Sequence, residues 1–360
     1  YVDARGAIEL AESVAEDAFL AAPIFGAGAL DNRVPDWVAV AGVWVERGIA
    51  LETVVPSVIE TKLEIEEIED PSRLLPDDTL AYLAFAFDPN LDRWRDELDE
   101  YDLESMLPFP GAVEEINYML EDMAFSQGIS PAPQLPNNAD LEDVLDLALE
   151  LAHELSGIDF ESEFFAYLKG EFILAVSDSD FEEIEHDAAN YPVNAVAMLS
   201  YDESGEEGLR DTMEKVTALI EDYLPFIEAE DEDVGADEDA VVFPIASTEY
   251  EPGFVLHEGY LTLGSTEDAL EVVVGLQNGD GDALESHSEH RRAMEHLPGE
   301  KHFAAYVSLQ RIIKQLEPGD IGLESGEYRI LEEGLGSVAA SGSEEDDYAR
   351  ARLVLTLFPE

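Results

Sequence analysis

Two stretches far apart in the chain carry the same pattern, and that repetition constrains the fold more than any single residue does. Leu75-Pro76-Asp77-Asp78-Thr79-Leu80-Ala81-Tyr82-Leu83 and Leu297-Pro298-Gly299-Glu300-Lys301-His302-Phe303-Ala304-Ala305-Tyr306-Val307 share a Leu-Pro, a short polar turn and an alternating apolar strand. Each then enters a helical pattern, through Leu91, Trp94, Arg95 and Leu98 in one case and Leu309, Ile312, Ile313 and Leu316 in the other. Spacings of three and four line up one helix face, and self-similarity of this kind implies a repeated supersecondary unit. Tyr1-Val2 with Ile8, Leu10, Val14 and Phe19 reads as the same unit entered inside its strand.

Hairpins follow. Val38 to Gly42 with Ile49 to Val55, and Val338 to Gly342 with Tyr348 to Phe358, alternate across a turn as strands with one buried face do. Two more are expected: Phe164 to Leu168 with Glu171 to Val176 across Lys169-Gly170, and Phe254 to Leu256 with Tyr260 to Leu263 across Glu258-Gly259. Val193 to Leu199 reads as a strand feeding a helix from Glu206 to Tyr223. The segment Leu103 to Leu155, broken by Pro108, Pro110, Pro131, Pro133 and Pro136, reads as helical, its best helix being Leu141 to Leu155 capped by Asn138 or Asp140. Glu228 to Asp239 and Gln277 to Asp282 read as acidic or Gly-rich loops. The expected class is therefore α+β: repeated strand-helix-hairpin units in antiparallel or mixed sheets, helices packed on one face, and a helical insertion. The expected divisions are a first unit at 1–70, a central region at 71–285 with the insertion at 103–155, and a last unit at 286–360 packing with 1–70.

Charge sets the surroundings such a fold tolerates. With 84 Asp+Glu against 18 Lys+Arg the formal net charge is −66. Nucleic acids and anionic membranes are held through Lys and Arg, so neither is an expected partner. The 46% hydrophobic content is that of a folding chain, not a disordered one. Without cysteine there is no disulfide, thiolate metal site or thiol nucleophile. The longest apolar run, Trp37 to Val45, falls well short of the roughly 20 residues a membrane helix needs. Tyr1-Val2-Asp3-Ala4-Arg5 reads neither as an initiator nor as a signal peptide, so a preceding signal or anchor segment is expected. An acid excess with only five lysines suits concentrated salt, where a Debye length near 3 Å at about 1 M relieves self-repulsion.

These elements bring out a resemblance. Leu75-Pro76 with Leu80-Ala81-Tyr82, Phe165-Ala166-Tyr167-Leu168-Lys169-Gly170-Glu171-Phe172, His257 to Ser265 with Ala269-Leu270, and Leu297-Pro298 with Ala304 to Val307 are similar to patterns of an uncharacterised family of bacterial envelope proteins, domain of unknown function thirty-three fifty-two. The pieces are spread over most of the chain and lack only the family's amino-terminal part. The resemblance implies an exported or membrane-anchored bacterial protein and carries no catalytic motif with it.

No catalytic constellation emerges from the residues. A zinc protease needs a second His four residues after the first of a His-Glu pair; Gly157 follows His153-Glu154 and Leu261 follows His257-Glu258. His287, Glu289 and His290 with Glu285 have the spacing of a two-nitrogen metal site, yet they read as an exposed polar helix start. Calcium suits a chain rich in hard oxygen ligands. Its candidate ligands are Asp231, Asp233, Asp237 and Asp239 in the acidic segment, Asn278, Asp280 and Asp282 in the Gly-rich turn, and Asp178 with Asp180; none matches the twelve-residue calcium loop. Gly334-Leu335-Gly336-Ser337 imitates a dinucleotide fingerprint but runs into a strand, and Gly26-Ala27-Gly28 lacks a third small residue in place. No nucleophile elbow or phosphate loop occurs, and a glycosidic carboxylate pair cannot be picked from 84 acids without geometry. Trp37 and Trp44 are placed on opposite faces of one strand, exposing one of them unless both faces are covered; a partner surface is the alternative, and core placement is the expectation for either one.

The reading these features favour is a non-enzymatic exported or cell-surface protein, assembling with copies of itself into a filament or surface layer and stabilised by salt or divalent cations. Sheet edges supply the simplest route to such a polymer. The alternative is an envelope carrier holding an apolar lipid or pigment between sheet and helices.

Overall fold

The computed structural model describes residues 39–56, 68–98, 112–127, 134–136, 139–177, 194–223, 229–234, 239–245, 251–299, 301–315, 325–345 and 348–357. Its strands are β1 (Ala39–Val45), β2 (Gly48–Pro56), β3 (Thr79–Ala86), β4 (Leu168–Ser177), β5 (Ala195–Tyr201), β6 (Glu230–Asp233), β7 (Asp239–Val242), β8 (Gly253–His257), β9 (Tyr260–Gly264), β10 (Phe303–Ser308), β11 (Leu335–Glu345) and β12 (Tyr348–Leu357). Its α-helices are α1 (Leu91–Leu98), α2 (Ala112–Gln127), α3 (Leu141–Ser156), α4 (Phe160–Glu163), α5 (Glu206–Tyr223), α6 (Glu267–Gln277), α7 (Ser288–Met294), α8 (Leu309–Gln315) and α9 (Ser325–Gly334). The fold is mixed α+β, with a 12-stranded sheet in the order β1-β2-β12-β11-β10-β3-β4-β5-β9-β8-β7-β6. Every pairing whose register is described is antiparallel.

The two Leu-Pro stretches become neighbouring strands. β3 and β10 pair so that Tyr82 stands opposite Tyr306 and Ala84 opposite Ala304. The two tyrosine rings stack with centroids 6.0 Å apart. The register carries this row outward through Ala339, Val354 and Ala50, and on the other side to Ala175. All six residues are buried. Small side chains on the flanking strands make room for two large rings in the centre. Truncating Tyr306 to Ala would remove about 3–5 kcal/mol of packing by the usual cost of an aromatic cavity.

The chain divides into two compact units. One comprises the described residues within Tyr1–Phe87, Glu171–Leu199 and Ala229–Glu360, and the other those within Asp88–Gly170 and Ser200–Glu228. The first contains the row just described and a second core patch in which Leu270 and Val274 of α6 pack with Val242 and Val255. In the second, α3 starts at Asp140, whose carboxylate accepts from the Asp143 amide while Asp143 reciprocates, and ends at Gly157 in the left-handed region with φ 70°. Val113, Leu135 and Ala139 form a small core there. Arg95 donates to Asp92, Asp146 and Glu161, and it holds Glu161 below the usual carboxylate range. A Cβ on Gly205 or Gly208 would meet the Tyr167 ring, so only glycine lets α5 and the turn before it lie against that ring.

Two sequence expectations are corrected. Phe164 to Val176 is not a hairpin: Phe165–Tyr167 is a 3-10 turn, and Leu168–Ser177 runs as one strand through Lys169 and Gly170. Gly170, at φ 95°, bends the strand without reversing it. Residues Glu228 to Asp239 are not simply a loop, because Glu230–Asp233 and Asp239–Val242 pair as antiparallel strands. The expected strand and helix at Tyr1 to Phe19, Gly26 to Gly28, Trp37, Pro108, Pro110, Pro131, Pro133, Asn138, Asp178, Asp180 and Asp237 lie outside the described residues.

Candidate functional site

The sheet ends in two strands of opposite character. At one end β1, Ala-Val-Ala-Gly-Val-Trp-Val, carries no charged side chain and, among the described residues, is paired on one side only. Burial changes abruptly there: Ala50 of β2 is 1% exposed, and its register partner Val43 is 50% exposed. On the opposite face Val40, Trp44 and the Leu51 of β2 are all exposed, Trp44 at 79%. Trp44 is exposed, against the expectation of core placement. At the other end β6 is four residues long and reads Glu-Asp-Glu-Asp. Acids crowd beside it: the Glu267 carboxyl is pushed up by desolvation and then by Glu232, Glu251, Asp268 and Glu271. Short length and charge are the usual means of closing an edge to pairing. β6 has both, while β1, among the described residues, leaves one row of backbone groups unpaired along seven uncharged residues.

Between the edges, α7 presses polar groups onto the tyrosine row. His290 is 2% exposed and Glu289 is 7% exposed, which corrects the expectation of an exposed helix start. His290 Nε2 lies 3.4 Å from Tyr82 Oη, and its ring meets Tyr306 edge-on with centroids 4.9 Å apart. Ser308 Oγ donates to Glu289 Oε2 at 3.3 Å. Glu289 Oε1 and His290 Nδ1 have no hydrogen-bond partner among the described residues. Burial pushes the Glu289 carboxyl up and the His290 imidazolium down to about 4, so the imidazole is neutral at pH 7. Burial also raises the Tyr82 and Tyr306 hydroxyls. Glu285, the fourth member of that sequence cluster, instead accepts from Arg73 at 3.2 Å. A second, part-buried pair joins β4 and β9, where Tyr260 Oη donates to Glu171 Oε2 at 2.8 Å.

The calcium candidates are dispersed. Asp231 and Asp233 are on β6, Asp239 is on β7, and Asp233 stands opposite Asp239 in the register. Asn278 caps α6, its Nδ2 donating to the Val274 carbonyl at 2.8 Å, and Asp280 and Asp282 are exposed beyond it. No group of three His, Asp or Glu side chains among the described residues is arranged to hold a metal ion. No helix among them is long and apolar enough to cross a membrane. Sequence reasoning missed the burial of Glu289 and His290; the signal was their spacing from Ala293, which places all three on one side of α7.

No protein-family model matches the chain, and no curated protein matches it. A solved structure of TP0453, crystal form I, is similar over 81% of this chain and 92% of that one, at 10% sequence identity and a TM-score of 0.27.

Proposed function

We propose that the chain is a non-enzymatic, exported cell-surface protein of the bacterial envelope family it resembles, and that its copies associate edge to edge through β1. The observation that carries this reading is the contrast between β1, uncharged and exposed on both faces, and β6, short and acidic. In a molecule of net charge −66, β1 is a place where two copies can meet without setting acid against acid. Because β6 is a poor acceptor, the suitable partner for β1 among the described strands is the β1 of another copy. Such a contact is isologous and closes as a twofold dimer. A twofold through Gly42 would set Val40 opposite Trp44 of the second copy, an aromatic–aliphatic cross-strand pair worth roughly 0.2–1 kcal/mol. Growth into a filament or layer would need a further contact, supplied in this reading by divalent cations such as calcium bridging acidic surfaces.

Repetition belongs to the same reading. β3 leads to α1, β5 to α5, β9 to α6 and β10 to α8, an order that supports a strand-helix unit used more than once, with 103–155 as an insertion. The apolar-carrier alternative draws less support, since two cavities in the first unit are lined chiefly by charged side chains.

The test is molar mass by light scattering across a series of monovalent salt concentrations, with calcium and with chelator. Dimers forming as salt rises support the reading. A monomer throughout, at every concentration reached, overturns it.

A further inference from the structure

We infer that the groove between α7 and the β2–β12 end of the sheet is a binding site for a small polyanion, a phosphate-bearing or polycarboxylate molecule. The inference is independent of pairing through β1. Arginine is scarce in this chain, 13 residues among 360, and five of the 13 line two cavities that share Glu295 and His296. The larger, about 540 Å³, holds Arg47, Arg291 and Arg292 with Glu46; the smaller, about 270 Å³, holds Arg350 and Arg352 with Glu52. Five guanidinium groups against three carboxylates make a positive site on a chain of net charge −66. A cavity of this size suits a small molecule.

Ion pairing among the described residues does not account for Arg291, Arg292 and Arg352. With 84 carboxylates available, an arginine kept for stability would be expected to hold one. Arg350 does, its Nε lying 3.4 Å from Glu52 Oε1 and its guanidinium over the Tyr348 ring. Arg291, Arg292 and Arg352 hold none among the described residues, and the Arg352 Nε is buried there without an acceptor. The backbone presents these groups from fixed positions. Arg350 and Arg352 are two apart on β12 and so share a face, with Arg352 opposite Glu52 in the register. Arg47 sits in the β1–β2 turn at φ 59°, its carbonyl accepting from the Leu357 amide at 2.7 Å. Arg291 and Arg292 come from the last turn of α7. Planar guanidinium forks from three directions match the oxygens of phosphate and carboxylate groups, which they bind in pairs.

Isothermal titration with pyrophosphate and with citrate, at constant total ionic strength set by sodium chloride, tests the site and separates the two chemistries. Expected is saturable one-to-one binding of at least one of them, weakened tenfold or more by Arg291→Ser/Arg292→Ser and by Arg352→Gln. Circular dichroism checks that each variant folds; should Arg352→Gln fail, the Arg291/Arg292 pair on α7 decides. No binding of either anion overturns the inference, as does unchanged affinity in the folded double variant. The titration is read on the monomer, so its failure leaves pairing through β1 untouched, and failure of that pairing leaves the titration readable.

Discussion

The two edges of the sheet are built from opposite solutions to one problem. An edge strand exposes unpaired N–H and C=O groups, and a soluble protein must either block them or use them. β6 blocks them with four consecutive acids over four residues. β1 keeps seven uncharged residues, with Val40, Val43 and Trp44 in solvent. In a chain where one side chain in four is charged, seven successive uncharged positions on an edge are costly in solubility. The contrast teaches that this protein's acidity is not spread evenly: it is dense on β6 and absent from β1.

The comparison breaks most visibly if β6 is opened. Replacing Glu230, Asp231, Glu232 and Asp233 with Thr gives the sheet a second pairing edge, and the closed dimer should grow into open-ended species many subunits long, seen by light scattering. Growth that still stops at two would show that charge is not what keeps β6 closed. Next in size is the reverse change at β1. Val40→Lys with Trp44→Lys should weaken dimerisation about 100-fold, the loss of two apolar cross-strand pairs and the gain of like-charge repulsion across the twofold, of order 3 kcal/mol. Analytical ultracentrifugation measures this directly, and an unchanged dissociation constant would remove β1 from the interface.

The remaining predictions separate the edges from the core they share. His290 is buried neutral, its pKa lowered from an ordinary 6.5 to about 4. Between those values the unfolded chain binds the proton and the folded one does not, so stability is full above 6.5 and is lost as pH falls toward 4. The loss is on the order of 3 kcal/mol, from about 1.4 kcal/mol per pKa unit. Glu289 acts oppositely. Its pKa is raised by burial, so as pH falls through the raised value toward the ordinary 4.5 the folded state gains stability. Glu289→Gln should therefore stabilise the protein by about 1 kcal/mol at neutral pH and leave the His290 slope uncovered. Urea denaturation across pH checks both, with dimerisation at neutral pH unchanged. A Glu289→Gln variant less stable at pH 7 than the parent would contradict the assignment of Glu289 as a buried carboxylate under strain from desolvation.

Much of the sheet was legible in the sequence because its signals are local. Alternation across Glu258-Gly259 is the β8–β9 hairpin, with Glu258 and Gly259 both at positive φ, and Asp140 is the cap its position implies. The twin Leu-Pro stretches mark β3 and β10, though nothing in one dimension says that Tyr82 will face Tyr306. What was not legible depended on tertiary setting. Four acids in a row have poor strand propensity, and only an edge position, with solvent on one side, lets Glu230–Asp233 pair with β7. Lys169-Gly170 looks like a turn, yet β4 continues through it as one strand from Leu168 to Ser177. Glu289 and His290 read as solvated because their types usually are, and α7 buries them against Tyr82, Tyr306 and Ser308. The arginine groove left a faint trace, the doublet Arg291-Arg292 and the alternation Arg350-x-Arg352 in a chain otherwise short of bases. Convergence of the two needed the fold.

The most direct test of the account is amide hydrogen exchange at β1 and β6, compared at low and high protein concentration in high salt. Edge pairing predicts that alternate amides of Ala39–Val45, those facing away from β2, gain protection as dimer forms, while β6 is unchanged. Protection at β1 that does not vary with concentration, or a gain at β6 instead, would contradict it.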